Sequence, residues 1–69
     1  MTVFDALRAV CKEQTDEYAK TYARSGLSMC WGDGLRVQCL YVLSNLGGWR
    51  GERAREVKAV LKAYNGEVQ

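Results

Sequence analysis

The sequence predicts an all-α chain, and three observations carry that reading. Apolar residues recur at three- and four-residue spacing along most of its length, glycine-containing pairs punctuate it at Ser25-Gly26, Gly47-Gly48 and Asn65-Gly66, and no alternating apolar run is long enough to need a strand. Residues 35–43, LRVQCLYVL, are the one stretch that also reads as a strand, and a lone strand has no partner. The expected plan is a small three-helix domain, helix–loop–helix–turn–helix, spanning residues 1–69 as a single unit.

The first helix is expected to begin at Val3, with Thr2 as N-cap and Asp5 placed to complete a capping box at the positive end of the helix. Val3, Leu7, Val10, Cys11, Tyr18 and Tyr22 form its core line, alanines add propensity beside them, and Ser25-Gly26 stops it. Its opposite face, from Arg8 to Arg24, is charged and reads as solvated, with pairs such as Asp16 and Lys20 one turn apart. The second helix is expected over Leu35–Leu46, capped by Asp33 or Gly34 and ended by Gly47-Gly48. Apolar residues wrap most of its circumference and leave a narrow polar strip of Gln38, Tyr41 and Asn45. The third helix should run from about Glu52 to Tyr64 on the core line Ala54, Val57, Leu61 and Tyr64, with Val60 adjacent.

A chain of 69 residues folding alone buries only about 60% of the surface it exposes unfolded, so a supplement is expected. Cys11, Cys30 and Cys39 are odd in number and show no paired spacing, so they read as reduced, mostly buried thiols. Histidine is absent and no two cysteines form a ligand pair, so no metal and no cofactor are predicted. Self-association remains. The Leu27–Trp31 loop is unusually apolar, and with the second helix it supplies the expected oligomer interface: Leu27, Met29, Trp31, Leu40 and Leu43.

The start, MTVFDALRAV, has no basic segment followed by an apolar run, and no stretch approaches the ~20 apolar residues of a membrane span, so a cytoplasmic chain with no membrane partner is expected. A net charge of +2 is far below that of a DNA-coating protein, and all of it lies in residues 49–69. Catalysis has poor material: there is no histidine base, the acids are scattered on charged faces, and only Cys30 sits near a helix start that activates a thiol. No catalytic residue is assigned, and the chain is read as a binder rather than an enzyme.

The distinctive element is residues 47–53, GGWRGER, a tight turn into the third helix. A helix start offers unpaired N–H groups at a partly positive end, glycines let that backbone approach a ligand, arginines grip phosphate or carboxylate, and a tryptophan offers a stacking face. Gly48, Trp49, Arg50, Gly51 and Arg53 are therefore the predicted ligand-binding residues, suited to an anionic, aromatic ligand such as a nucleotide. The same residues also read as plain structure, with glycines ending a helix, Trp49 plugging the core and the arginines pairing with Glu52 and Glu56. Separately, Arg55, Lys58 and Lys62 form a basic stripe that either rests on a phosphate backbone or merely solvates the helix.

Residues 40–64, LYVLSNLGGWRGERAREVKAVLKAY, resemble the C-terminal half of small helical proteins encoded by bacteriophages and prophages, most specifically in Leu43–Leu46 and Trp49-Arg50-Gly51. That resemblance implies a place in the host cytoplasm and interference with host defence, either by sequestering a signalling nucleotide or by blocking a host protein. The rival expectation is a small DNA- or RNA-binding regulator, although the third helix lacks the exposed Asn, Gln, Ser and Thr residues that read bases.

Overall fold

The computed structural model describes all 69 residues. It is all-helical, with α1 Val3–Glu13, α2 Glu17–Leu27, α3 Asp33–Leu43 and α4 Glu52–Ala63. Each helix packs on its two neighbours in the closed order α1, α2, α3, α4 and back to α1.

The chain therefore has four helices where the sequence reading expected three, and the difference lies at residues 14–16. Gln14 leaves the helix in an extended conformation. Its side-chain oxygen accepts the N–H of Thr15 at 3.1 Å. Asp16, also extended, accepts the N–H of Ala19 at 3.0 Å and so caps a new helix. The expected Asp16–Lys20 pair is absent; Lys20 instead pairs with Glu17 at 3.3 Å. The break resets the helical phase, so Tyr18 and Tyr22 leave the expected core line and are 71% and 36% exposed, while Ala19 and Ala23 turn inward.

The remaining elements lie near their expected places. Thr2 Oγ1 accepts the N–H of Asp5 at 3.2 Å and Asp5 Oδ2 accepts the N–H of Thr2 at 2.9 Å, forming the capping box. The backbone N–H of Thr2 on its carboxylate holds Asp5 below the ordinary carboxylate range, with Arg8 adding to the effect. α2 ends at Leu27, one residue past the expected Ser25-Gly26 stop, and Gly26 itself is still helical. A Cβ there would sit 3.0 Å from Leu7 Cδ1 and 3.4 Å from Gln38 Cγ, so the missing side chain lets α1 and α3 close on α2. α3 starts two residues earlier than expected, with Gly32 as N-cap, and ends at Leu43; Leu46 is nonetheless buried in the turn that follows.

The core is built from Val3, Leu7 and Val10 of α1, Leu35, Cys39 and Val42 of α3, and Val57 and Leu61 of α4, while α2 contributes only alanine and glycine. Gln38 is the one buried polar side chain, and its amide donates to the Tyr22 carbonyl at 2.9 Å. One end of the bundle is closed by aromatic rings: Trp31 lies 4.6 Å from Phe4 and 6.4 Å from Tyr64 between ring centroids. The Tyr64 hydroxyl there accepts the N–H of Gly32 at 3.3 Å. The other end gathers the α1–α2 turn, the α3–α4 connection and the start of α4.

Candidate functional site at the start of the fourth helix

Gly51 is the N-cap of α4 with φ +109°, a conformation that favours glycine, and no side chain caps the helix. The first-turn N–H groups of α4 thus have no side-chain acceptor, and they mark the positive end of the helix dipole. Leading into this cap, the N–H of Trp49 donates to the Leu46 carbonyl at 3.0 Å and fixes the turn. Trp49 itself is half-buried against the core, so part of its surface remains free to meet a ligand.

Around that cap the structure regroups the predicted ligand-binding residues. Trp49, Arg50 and Gly51 line an open depression of about 210 Å³ together with Ala54, Arg55 and Lys58. Arg50 and Arg55 are exposed and take part in none of the five ion pairs. Lys58 folds its ammonium back to donate to the Trp49 carbonyl, which braces the turn and leaves two of its three N–H donors. Arg55, Lys58 and Lys62, three and four residues apart on α4, continue this basic surface down the helix. The corner and the stripe, separate features in the sequence, are one surface.

Arg53 lies apart from that surface, on the α1 side of α4. Its Nε donates to Glu13 at 2.9 Å and its NH1 to Glu56 at 3.0 Å, so it joins the end of α1 to the start of α4. The hydrogen bond to Glu13 is the main reason its guanidinium holds its proton more tightly than usual. The expectation of arginines pairing with Glu52 and Glu56 is met only for Arg53 with Glu56. Gly48 is exposed on the far side of Trp49, in a larger open depression of about 470 Å³ shared with Glu13, Gln14, Thr15, Asp16 and Asn45. Trp49 therefore lines both depressions, one with Glu13 and Asp16 and the other with Arg50, Arg55 and Lys58.

Arg55 and Lys58 were not among the predicted ligand residues. The signal for them was present: Arg55 falls one helical turn after Gly51, and Lys58 one turn after Arg55. Of the expected oligomer-interface residues, Leu27, Met29, Trp31 and Leu43 are partly buried against the chain's own core, and only Leu40 is strongly exposed. Cys30 is exposed rather than buried, unlike Cys39, whose burial pushes its thiol up to about 11. No helix is long and apolar enough to cross a membrane. Compared with known proteins, the chain matches no family model, no curated protein and no solved structure.

Proposed function

We propose that the chain is a non-catalytic binding protein that captures a phosphate-bearing aromatic ligand, a nucleotide, at the Trp49–Arg50–Gly51 corner. One observation carries the reading: Arg50, Arg55 and Lys58, none engaged by a carboxylate, line one hollow with Trp49 and an uncapped helix start. Arginine and helix N–H groups supply charge-assisted hydrogen bonds to phosphate, and the indole supplies a face for the base. A hollow of about 210 Å³ is below the ~300 Å³ at which drug-sized pockets begin, so it takes the phosphate while the base lies over Trp49 at the rim. The resemblance to phage and prophage proteins gives this binding a purpose, the removal of a signalling nucleotide used in host defence. Blocking a host protein is the other form of that purpose.

A second reading, a small DNA- or RNA-binding regulator, draws on Lys62, which extends the basic surface a turn beyond the corner. Isothermal titration at low salt with cyclic di- and trinucleotides and with short oligonucleotides separates the two. The nucleotide reading expects heat from the cyclic ligands, an affinity lowered about tenfold or more by Arg50→Ala or Arg55→Ala, and little change from Lys62→Ala. Absence of heat from every cyclic ligand sinks it. Binding confined to oligonucleotides, falling steeply with salt and halved or worse by Lys62→Glu, selects the regulator instead.

A further inference from the structure

Charged residues make up 26% of the chain, yet one broad face carries none. It is formed by the α3-facing side of α2, with Tyr18, Tyr22 and Ser25, and the outer side of the second half of α3, with Leu40 and Tyr41, continued by Asn45 in the turn after it. Tyr18, Tyr22, Leu40 and Tyr41 are 71%, 36%, 48% and 52% exposed. The rings of Tyr22 and Tyr41 stack across the two helices with centroids 5.7 Å apart, so the face is preordered. Lys20 of α2 is held by Glu17, and the only charges of α3 are Asp33 and Arg36 in its first turn, paired with each other at 2.7 Å at the edge of the face.

We infer that this tyrosine face of α2 and α3 is the surface on which a second copy of the chain docks, about a two-fold axis. Interface centres are depleted in charge and enriched in tyrosine. The face offers no counter-charge to a nucleic acid, a lipid headgroup, or an acidic or basic peptide. Its polar groups are hydroxyls and carboxamides, each both donor and acceptor, so an identical face satisfies them. For a chain of net charge +2, it is also the surface on which two identical copies meet without opposing like charges. A standard interface takes about 800 Å² per partner, close to a fifth of the 4280 Å² that the chain exposes, so a face spanning two helices rather than one is called for. This places self-association away from the Leu27–Trp31 loop, and the dimer leaves Arg50 and Arg55 open at the end of the bundle.

Sedimentation of the full chain over a concentration series tests the inference. A dimer is expected, with an association constant nearly unchanged between about 50 mM and 500 mM salt because no charges meet, and weakened about thirtyfold or more by Tyr41→Glu or Leu40→Lys. Both positions are exposed, so circular dichroism should show these variants folded. Amide hydrogen exchange of the unaltered chain gives a second reading, with protection rising with concentration over residues 18–25 and 37–45. A monomer at all concentrations overturns the inference, as does a dimer that survives both substitutions or gains protection elsewhere.

Discussion

Cys30 and Cys39 show how far one residue type can diverge within a short chain. Cys39 is fully buried between helices, and loss of solvation pushes its thiol from 9.0 to about 11, whereas Cys30 is exposed in the loop before α3. A thiolate is the reactive form. Native protein at pH 8 should therefore label rapidly at Cys30 and at Cys39 only after denaturation, as peptide mass mapping after a maleimide pulse will show; equal labelling of both contradicts the assigned packing. A raised thiol favours the protonated form in the fold, so its contribution is intact below pH 9.0 and is lost as pH climbs towards about 11. Asp5 has the opposite sign. Its lowered carboxyl favours the charged form in the fold, so the capping box contributes above the ordinary carboxylate range, near 3.8, and loosens as pH falls through and below it. Thr2→Ala should cost about 1 kcal/mol in urea unfolding at neutral pH and flatten the acid limb of the stability curve. An unchanged acid limb argues against the box.

At the scale of elements, α2 is the helix that the sequence conceals. Thr2 announced α1 because Asp5 three residues on completes a capping box, and Asn65-Gly66 marked the end of α4 as a glycine stop. Asp16 was ambiguous: in TDEYAK it serves equally as an N-cap or as a surface partner of Lys20, and helical periodicity alone carries α1 through the break. The structure resolves it through the side-chain hydrogen bond to Ala19 and the extended Gln14. Gly26 marks the helix end to within a residue, but its second role was not legible, since only the packed neighbours show that the missing Cβ is needed. Because Leu7 Cδ1 stands 3.0 Å from that position, Gly26→Val should destabilise the fold by about 2 kcal/mol or more in chemical denaturation, despite the better helix propensity of valine. Unchanged or raised stability would show that α1 and α2 do not approach so closely.

Across the whole molecule, the four helices separate three kinds of surface. Aromatic rings close one end, the uncharged tyrosine face lies along α2 and α3, and at the second end Trp49 lines both an acidic and a basic hollow. The Trp49–Arg50–Gly51 turn was legible because a tryptophan between glycines and arginines at a helix start is an unusual combination. The partners of that turn were not, since whether Arg53 or Arg55 faces it depends on which neighbour α4 packs against. Packing against α1 commits Arg53 to Glu13 and leaves Arg55 beside Trp49. Arg53→Ala should accordingly loosen the α1–α4 contact while leaving ligand affinity within about twofold. The most direct test of the binding claim is a nitrogen-15 spectrum recorded while a cyclic dinucleotide is titrated into the full chain. Shifts concentrated at the Trp49 indole and the amides of residues 50–55 are predicted; shifts centred on the acidic hollow, on residues 27–31 or nowhere would contradict it.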